Sequence, residues 1–157
     1  MNINRIIVDI AVAKDCLSPT KNLTNDEYFY DMAAYHTQQA IEKEIKYFLQ
    51  NIYGMDGSER KFKIHNIAQL LLFLNEYDNH FLYEHQDLVH IADEVTKWEA
   101  SCRYGEDLVA SKKEIQNALS IACNLLDEIK EMNQNRALSN NDFKNETDYE
   151  LDYGDEE

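Results

Sequence analysis

The sequence predicts an all-α protein, an antiparallel up-and-down bundle of about five helices that is followed by a disordered acidic C-terminal tail. Two observations lead to this fold class. Apolar residues recur every three to four positions in five stretches of the chain, which is the period of an amphipathic helix. Only four glycines and one proline occur in 157 residues, too few for the frequent turns of a β-sandwich or barrel. Amphipathic helices with mostly short connections pack most simply as an antiparallel bundle.

The first two predicted helices are separated by a polar loop. The apolar stripe of the first covers residues 3–17, and Pro19 is predicted to end it because proline interrupts helical hydrogen bonding. Thr24 and Glu27 have the spacing of a capping box, in which each side chain accepts a backbone N–H at a helix start. A long second helix should therefore begin there. Gly54, which adopts a left-handed conformation at little cost, is predicted to end it.

Three further helices are predicted in the second half of the chain. A shorter helix begins at His65 or Asn66, and a longer one carries its apolar stripe over residues 88–102. Ser111 and Glu114 repeat the capping-box spacing. The fifth helix is therefore predicted to begin at this point.

The apolar periodicity disappears from about residue 133 onward. Residues 136–157 hold eight acidic side chains against Arg136 and Lys144, a composition typical of disordered segments. We therefore divide the chain into a helical-bundle domain, residues 1–135, and an acidic, disordered tail, residues 136–157.

Charge and composition limit the classes of function. The formal net charge of −15 disfavours tight, non-specific binding to nucleic acid. The net charge does not exclude a local basic binding site, because salt screens charges over roughly 8–10 Å. The cysteines lack CxxC spacing and are predicted to be reduced core thiols. The chain shows neither a signal-peptide pattern nor a stretch apolar enough for a membrane span, so we expect a cytoplasmic protein without membrane association.

Three segments of the sequence resemble the HEPN domain family. Residues 33–49, AAYHTQQAIEKEIKYFL, are similar to the family's signature helix with its His-x-Gln-Gln-Ala-x-Glu-Lys pattern. Residues 63–71 are similar to its Thr-His-Asp-Leu helix start, and residues 100–104 resemble its Arg-Tyr helix ending. The sequence departs from the family at Asn66, where aspartate is usual, and at Gly105, where proline is usual.

The resemblance implies either a binding module or an enzyme. Many HEPN domains are metal-independent ribonucleases or toxins that use an Arg-x(4–6)-His motif in a dimer cleft. Others accompany a minimal nucleotidyltransferase or are proposed to bind nucleotides. The resemblance therefore implies a homodimer and allows a nucleotidyltransferase or an antitoxin as a partner. No cofactor and no metal is expected, because the sequence contains no HExxH, clustered-cysteine, Gly-rich phosphate-loop or Ser/His/Asp pattern.

Polar residues on the second, third and fourth predicted helices are candidates for a cleft that binds a nucleotide or RNA. Lysine and arginine suit the phosphate groups of such a ligand. The candidates are His36, Gln39, Lys43, His65, Arg103 and Tyr104. The alternative for this set is an internal polar network that binds nothing. His36 in particular lies on an apolar stripe, where a histidine is more often a buried, hydrogen-bonded residue than a ligand.

The catalytic residues stay unassigned, with Arg60, His65 and Arg103 as candidates. Arg60 and His65 satisfy Arg-x(4)-His, a pair suited to phosphate stabilisation and proton transfer. In nuclease members, however, the motif lies later in the bundle, near Arg103, which no histidine follows. We therefore expect an accessory module that binds a nucleotide or RNA in a toxin–antitoxin, defence or nucleotidyltransferase-linked system. The alternatives are a metal-independent endoribonuclease and a non-catalytic interaction module that acts through the acidic tail.

Overall fold

The computed structural model of the protein describes the backbone of residues 2–18, 26–104 and 110–149, and all of these side chains except those of 26–28, 101–104 and 140–149. The described residues contain helices and no strand, which confirms the all-α class. Their α-helices are α1 (Ile3–Leu17), α2 (Asp26–Tyr47), α3 (Ile67–Tyr77), α4 (Phe81–Glu84), α5 (Gln86–Tyr104) and α6 (Lys112–Tyr149). No helix in the described part of the chain is long and apolar enough to cross a membrane.

Hydrogen bonds cap both ends of helix α1. At its start, the side chain of Asn2 accepts the N–H of Asn4 at 2.9 Å. At its end, the N–H of Ser18 donates to the carbonyl of Lys14 at 3.2 Å. The predicted end of the first helix is confirmed. The capping box predicted from Thr24 lies outside the described residues.

Helix α2 continues into a wider turn. Phe48–Ile52 form a π-helix, in which the N–H of Tyr53 donates to the carbonyl of Phe48 at 3.0 Å. Such a turn accommodates an additional residue within a helix and usually occurs singly. Gly54 follows with a φ of +77°. The left-handed end of this helix is therefore confirmed, because that conformation favours glycine.

The predicted capping box at the start of α6 is present. The N–H of Ser111 donates to Oε2 of Glu114 at 2.7 Å, and the N–H of Glu114 donates to Oγ of Ser111 at 3.3 Å. The bonds from Ser111 hold the pKa of the Glu114 carboxyl below its usual range. Two backbone donors at the helix start are satisfied in this way.

Asn66 caps helix α3, and its replacement by alanine is expected to lower the free energy of unfolding by about 1 kcal/mol. The physical reason is the bond between Asn66 Oδ1 and the N–H of Gln69, at 2.9 Å, which alanine cannot make. Urea denaturation measures the change. Asn66→Asp keeps the acceptor and is the matched control. If Asn66→Ala lowers the free energy of unfolding no more than Asn66→Asp does, the result would contradict the capping role of Asn66.

The chain forms two compact units, residues 1–126 and 127–157. Helix α2 is central in the first unit, where it contacts α1, α3 and α5. Several of its apolar side chains are completely buried: Ala33, Ala34, Ala40, Ile41 and Ile45. Burial of one large apolar side chain contributes about 1.5–3 kcal/mol to folding. The polar side chains that α2 carries are therefore held on a helix with little freedom to move.

The second unit contains the C-terminal part of α6, which is helical as far as Tyr149. Residues 134–139 are exposed, in agreement with the end of the apolar stripe near Met132. Helical backbone continues over residues 136–149. Nucleation is the costly step in helix formation, so a helix that has already formed extends easily into a polar segment. The domain boundary at residue 136 stays a prediction.

Candidate functional site

Helix α2 carries two polar networks on neighbouring faces. Each residue turns an α-helix by about 100°, so residues seven or four apart lie on similar sides. His36 and Lys43 point to one side, towards α1, and Glu42 and Lys46 belong to another. We name these the Asp9 network and the Glu42 network, after the buried carboxylate at the centre of each.

The Asp9 network joins α1 to α2. The Asp9 side chain is only 9% exposed. Its Oδ1 lies 2.9 Å from Nδ1 of His36, and its Oδ2 accepts a hydrogen bond from Nζ of Lys43. A buried carboxylate is costly unless it is paired and hydrogen-bonded. His36 and Lys43 therefore have a structural task in holding the two helices together.

The Glu42 network gathers side chains from α2, from α5 and from the segment before α3. Oε1 of Glu42 lies 2.7 Å from Nζ of Lys46 and 3.0 Å from Nδ1 of His65. Its Oε2 accepts the side-chain amide of Gln38 at 2.9 Å. Oε2 of Glu99 lies 3.9 Å from the same His65 nitrogen. Buried carboxylates thus fix the orientation of His65, whose side chain is still 53% exposed.

The Glu42 network includes three potential metal ligands, from Glu42, His65 and Glu99, within 4.8 Å of one another. One histidine and two carboxylates are a donor set that zinc accepts. The ammonium group of Lys46, however, is buried and already lies beside Oε1 of Glu42. The charge of Glu42 is therefore compensated by a lysine, and we assign no metal to this network.

A short basic segment, Arg60–Lys63, precedes His65 as a 3-10 helical turn. Phe62 connects it to the Glu42 network, since its ring centroid lies 6.0 Å from Nζ of Lys46. Arg60 and Lys63 are exposed, and neither forms an ion pair with any residue that the structure describes. This segment therefore presents two uncompensated positive charges to solvent.

The structure places the predicted ligand-binding residues in different networks. His36 and Lys43 belong to the Asp9 network, and His65 belongs to the Glu42 network. Gln39 joins the Glu42 network indirectly, because its Nε2 donates to Oε1 of Gln38 at 2.7 Å. The described contacts do not join His36 and Lys43 to His65 in one cluster.

Arg103 and Tyr104 lie in the last turn of α5, and their side chains are outside the described part of the structure. Of the predicted Arg-x(4)-His pair, Arg60 belongs to the basic segment and His65 to the Glu42 network.

Several buried charged residues of the networks are not among the residues predicted from the sequence: Asp9, Glu42, Lys46 and Glu99. For Asp9, the sequence contains a signal of its burial. Asp9 follows Ile6 by three residues and precedes Ile10, so it stands within the apolar stripe of α1. A charged residue in such a stripe requires a partner on the adjacent helix. That rule indicates a buried ion pair, although it does not identify the partner.

Glu44 is a further buried carboxyl on α2. It is 0% exposed, and neither of its oxygens has a hydrogen-bond partner among the described residues. Burial raises the pKa of the Glu44 carboxyl well above its usual range, and nearby Cys123 raises it further. Desolvation of this kind favours the neutral acid.

Comparison with known proteins identifies one family. The family model described as HEPN domain matches residues 10–132, a range that includes α2, the basic segment and the Glu42 network. No curated protein and no solved structure matches the chain significantly. HEPN domains are associated with nucleotides and RNA, and they often dimerise. Because the match covers well over half of its length, this chain belongs to the HEPN domain family.

Proposed function

We propose that this HEPN domain is an accessory module that binds single-stranded RNA through the basic segment and His65. The observation that carries the proposal is the pair of exposed cations at Arg60 and Lys63, which have no ion-pair partner among the described residues. Arginine and lysine form strong, charge-assisted hydrogen bonds with phosphate oxygens. Phe62, between them, is partly exposed, and aromatic rings beside basic residues are typical of surfaces that bind single strands.

The net charge of the chain sets the expected strength of this interaction. A molecule with a net charge of −15 repels RNA at long range, so binding depends on contacts within a screening length of the basic segment. Two phosphates neutralised by Arg60 and Lys63 give a slope of log K against log salt of about −1.4 for a single strand. The proposal therefore requires modest affinity with a shallow salt dependence.

The double variant Arg60→Ala/Lys63→Ala is expected to bind single-stranded RNA about tenfold more weakly, with most of the salt dependence lost. Both effects follow from removing the two cations that contact phosphates. Fluorescence anisotropy of a labelled oligoribonucleotide at several salt concentrations measures them.

The matched control for this experiment is Lys14→Ala/Lys97→Ala, which removes two exposed lysines from α1 and α5. It changes the net charge by the same amount, so it measures the general electrostatic contribution. Equal losses of affinity in the two double variants would contradict a binding surface at the basic segment.

The geometry of His65 favours a second candidate function, a metal-independent endoribonuclease. The carboxylate of Glu42, 3.0 Å from Nδ1 of His65, favours a proton on that nitrogen and leaves Nε2 as a proton acceptor. Nε2 would take the proton of a ribose 2′-hydroxyl while the 2′-oxygen attacks the adjacent phosphorus. The bond from phosphorus to the 5′-oxygen then breaks, water protonates the leaving oxygen, and a 2′,3′-cyclic phosphate forms. The hydroxide that remains takes the proton from Nε2, which restores the neutral imidazole. Arg60 would stabilise the additional negative charge on the phosphate.

An RNA cleavage assay on metal-stripped protein separates the two functions. Cleavage that is lost in His65→Ala and retained in His90→Ala, a change at an exposed histidine of α5, would establish the nuclease. Binding without cleavage supports the accessory module. Cleavage that persists in every variant would identify a contaminating enzyme.

We also propose that the domain acts as a homodimer together with a nucleotidyltransferase or an antitoxin. Support comes from family membership, since HEPN domains often dimerise. Light scattering on the purified protein tests whether it is a dimer, and a monomer at high protein concentration would contradict that part of the proposal.

A further inference from the structure

A second candidate ligand site lies on α1 and α2, beside the Asp9 network. It is an open cavity of about 270 Å³, lined by Asn4, Arg5, Val8, Asp9 and Lys43. None of these residues belongs to the basic segment or to the Glu42 network. An inference about this cavity is therefore independent of RNA binding at the basic segment.

The cavity has a surplus of positive charge. Lys43 is paired with Asp9, so these two charges largely cancel. His36 occupies the other oxygen of Asp9. Arg5 is exposed and forms no ion pair with any described residue, which leaves its guanidinium as the uncompensated cation of the cavity. The ammonium of Lys43 has three N–H donors, and its bond to Asp9 uses one of them.

The position of Arg5 in the chain strengthens the preference for an anion. Asn4 and Arg5 lie in the first turn of α1, which contains no acidic residue. The start of an α-helix carries a partial positive charge that favours anions nearby. The planar fork of an arginine binds two phosphate oxygens at once. Arg5 therefore places a guanidinium, which suits phosphate, where the start of α1 also favours an anion.

The apolar side of the cavity adds a second preference. Val8 is 58% exposed and lines the cavity, so it offers an apolar contact beside the two cations. We propose that this cavity binds the phosphate monoester of a small, partly apolar organic group, with the phosphate on Arg5 and Lys43 and the organic group against Val8.

Isothermal titration calorimetry of the full chain with phenyl phosphate tests the proposal. The wild-type protein is expected to bind phenyl phosphate, and Arg5→Gln to bind it about tenfold more weakly. Arg5→Lys keeps the positive charge but loses the planar guanidinium that binds two phosphate oxygens, so the affinity of this variant for phenyl phosphate should be intermediate. The matched control is Lys14→Gln, which removes an exposed cation from the same helix and should leave the affinity unchanged.

Three results would overturn the proposal: no binding of phenyl phosphate to the folded wild-type protein, equal affinities of Arg5→Gln and Lys14→Gln, or inorganic phosphate binding as tightly as phenyl phosphate. The last result would show that the organic group contributes nothing to the affinity. The variant Arg60→Ala/Lys63→Ala should bind phenyl phosphate like the wild type, so failure of this site is distinguishable from failure of RNA binding.

Discussion

Replacement of Lys46 by methionine is expected to lower the free energy of unfolding by about 3–5 kcal/mol. Lys46 is buried, and its Nζ lies 2.7 Å from Oε1 of the buried Glu42. Methionine fills a similar space but supplies no charge, so Glu42 would keep a buried negative charge with only the side chains of Gln38 and His65 bonded to it. Urea denaturation followed by circular dichroism measures the loss. With total stabilities of about 5–15 kcal/mol for natural domains, such a loss is large.

Two control variants make this expectation specific. Lys97→Met removes an exposed lysine that lies 3.2 Å from Glu94, and exposed ion pairs contribute only about 0–1 kcal/mol. Glu42→Gln/Lys46→Met removes both buried charges and should recover part of the stability, because no unpaired charge remains. If Lys46→Met lowers the free energy of unfolding no more than Lys97→Met does, the buried Glu42–Lys46 pair does not stabilise the fold.

Replacement of Glu44 by methionine is expected to stabilise the protein, increasingly so as the pH rises above about 4.5. Burial raises the pKa of the Glu44 carboxyl in the folded state well above the ordinary value of 4.5. At pH values below that ordinary value, the carboxyl is protonated in both states and the fold bears no ionisation cost. Above it, the unfolded chain releases the proton while the folded chain retains it. The wild type therefore loses about 1.4 kcal/mol of stability for each pH unit, until the pH reaches the raised pKa.

Urea denaturation at several pH values, with the wild type and Glu44→Met compared at each pH, isolates this contribution from other titrating groups. The matched control is Glu59→Met, at an exposed glutamate, where we expect a change within about 0.5 kcal/mol. Parallel profiles of stability against pH for the wild type and Glu44→Met would show that Glu44 ionises as readily in the folded chain as in the unfolded chain.

The features of the fold that could be predicted from the sequence depend on residues close together in the chain. The Ser111–Glu114 capping box, the start of α3 beside Asn66 and the positive φ of Gly54 each follow from a short pattern in the sequence. The π-helical turn at Phe48–Ile52 could not be predicted, since its sequence has an ordinary apolar pattern. The one-turn helix α4 is too short to produce a periodic signal.

The polar networks were less predictable because their pairs form between distant parts of the chain. Asp9 and Lys43 are 34 residues apart, and Glu42 and His65 are 23 apart. Such pairs depend on which faces of the helices pack together, and an apolar period alone does not determine that. The Glu42–Lys46 pair is local in sequence, yet its burial also depends on the packing of α2. The sequence therefore indicated that polar residues of α2 were important without separating them into two networks.

The spacing of the polar residues along α2 restricts where the length of this helix can change. His36 and Lys43 both bond to Asp9 because seven residues make close to two turns. One residue inserted between them would rotate the rest of the helix by about 100° and separate Lys43 from Asp9. The π-helical turn, which accommodates an additional residue, begins at Phe48, after the α2 residues of both networks. An insertion or deletion between His36 and Lys46 would therefore separate the network residues of α2, whereas one at this turn would leave their spacing along α2 unchanged.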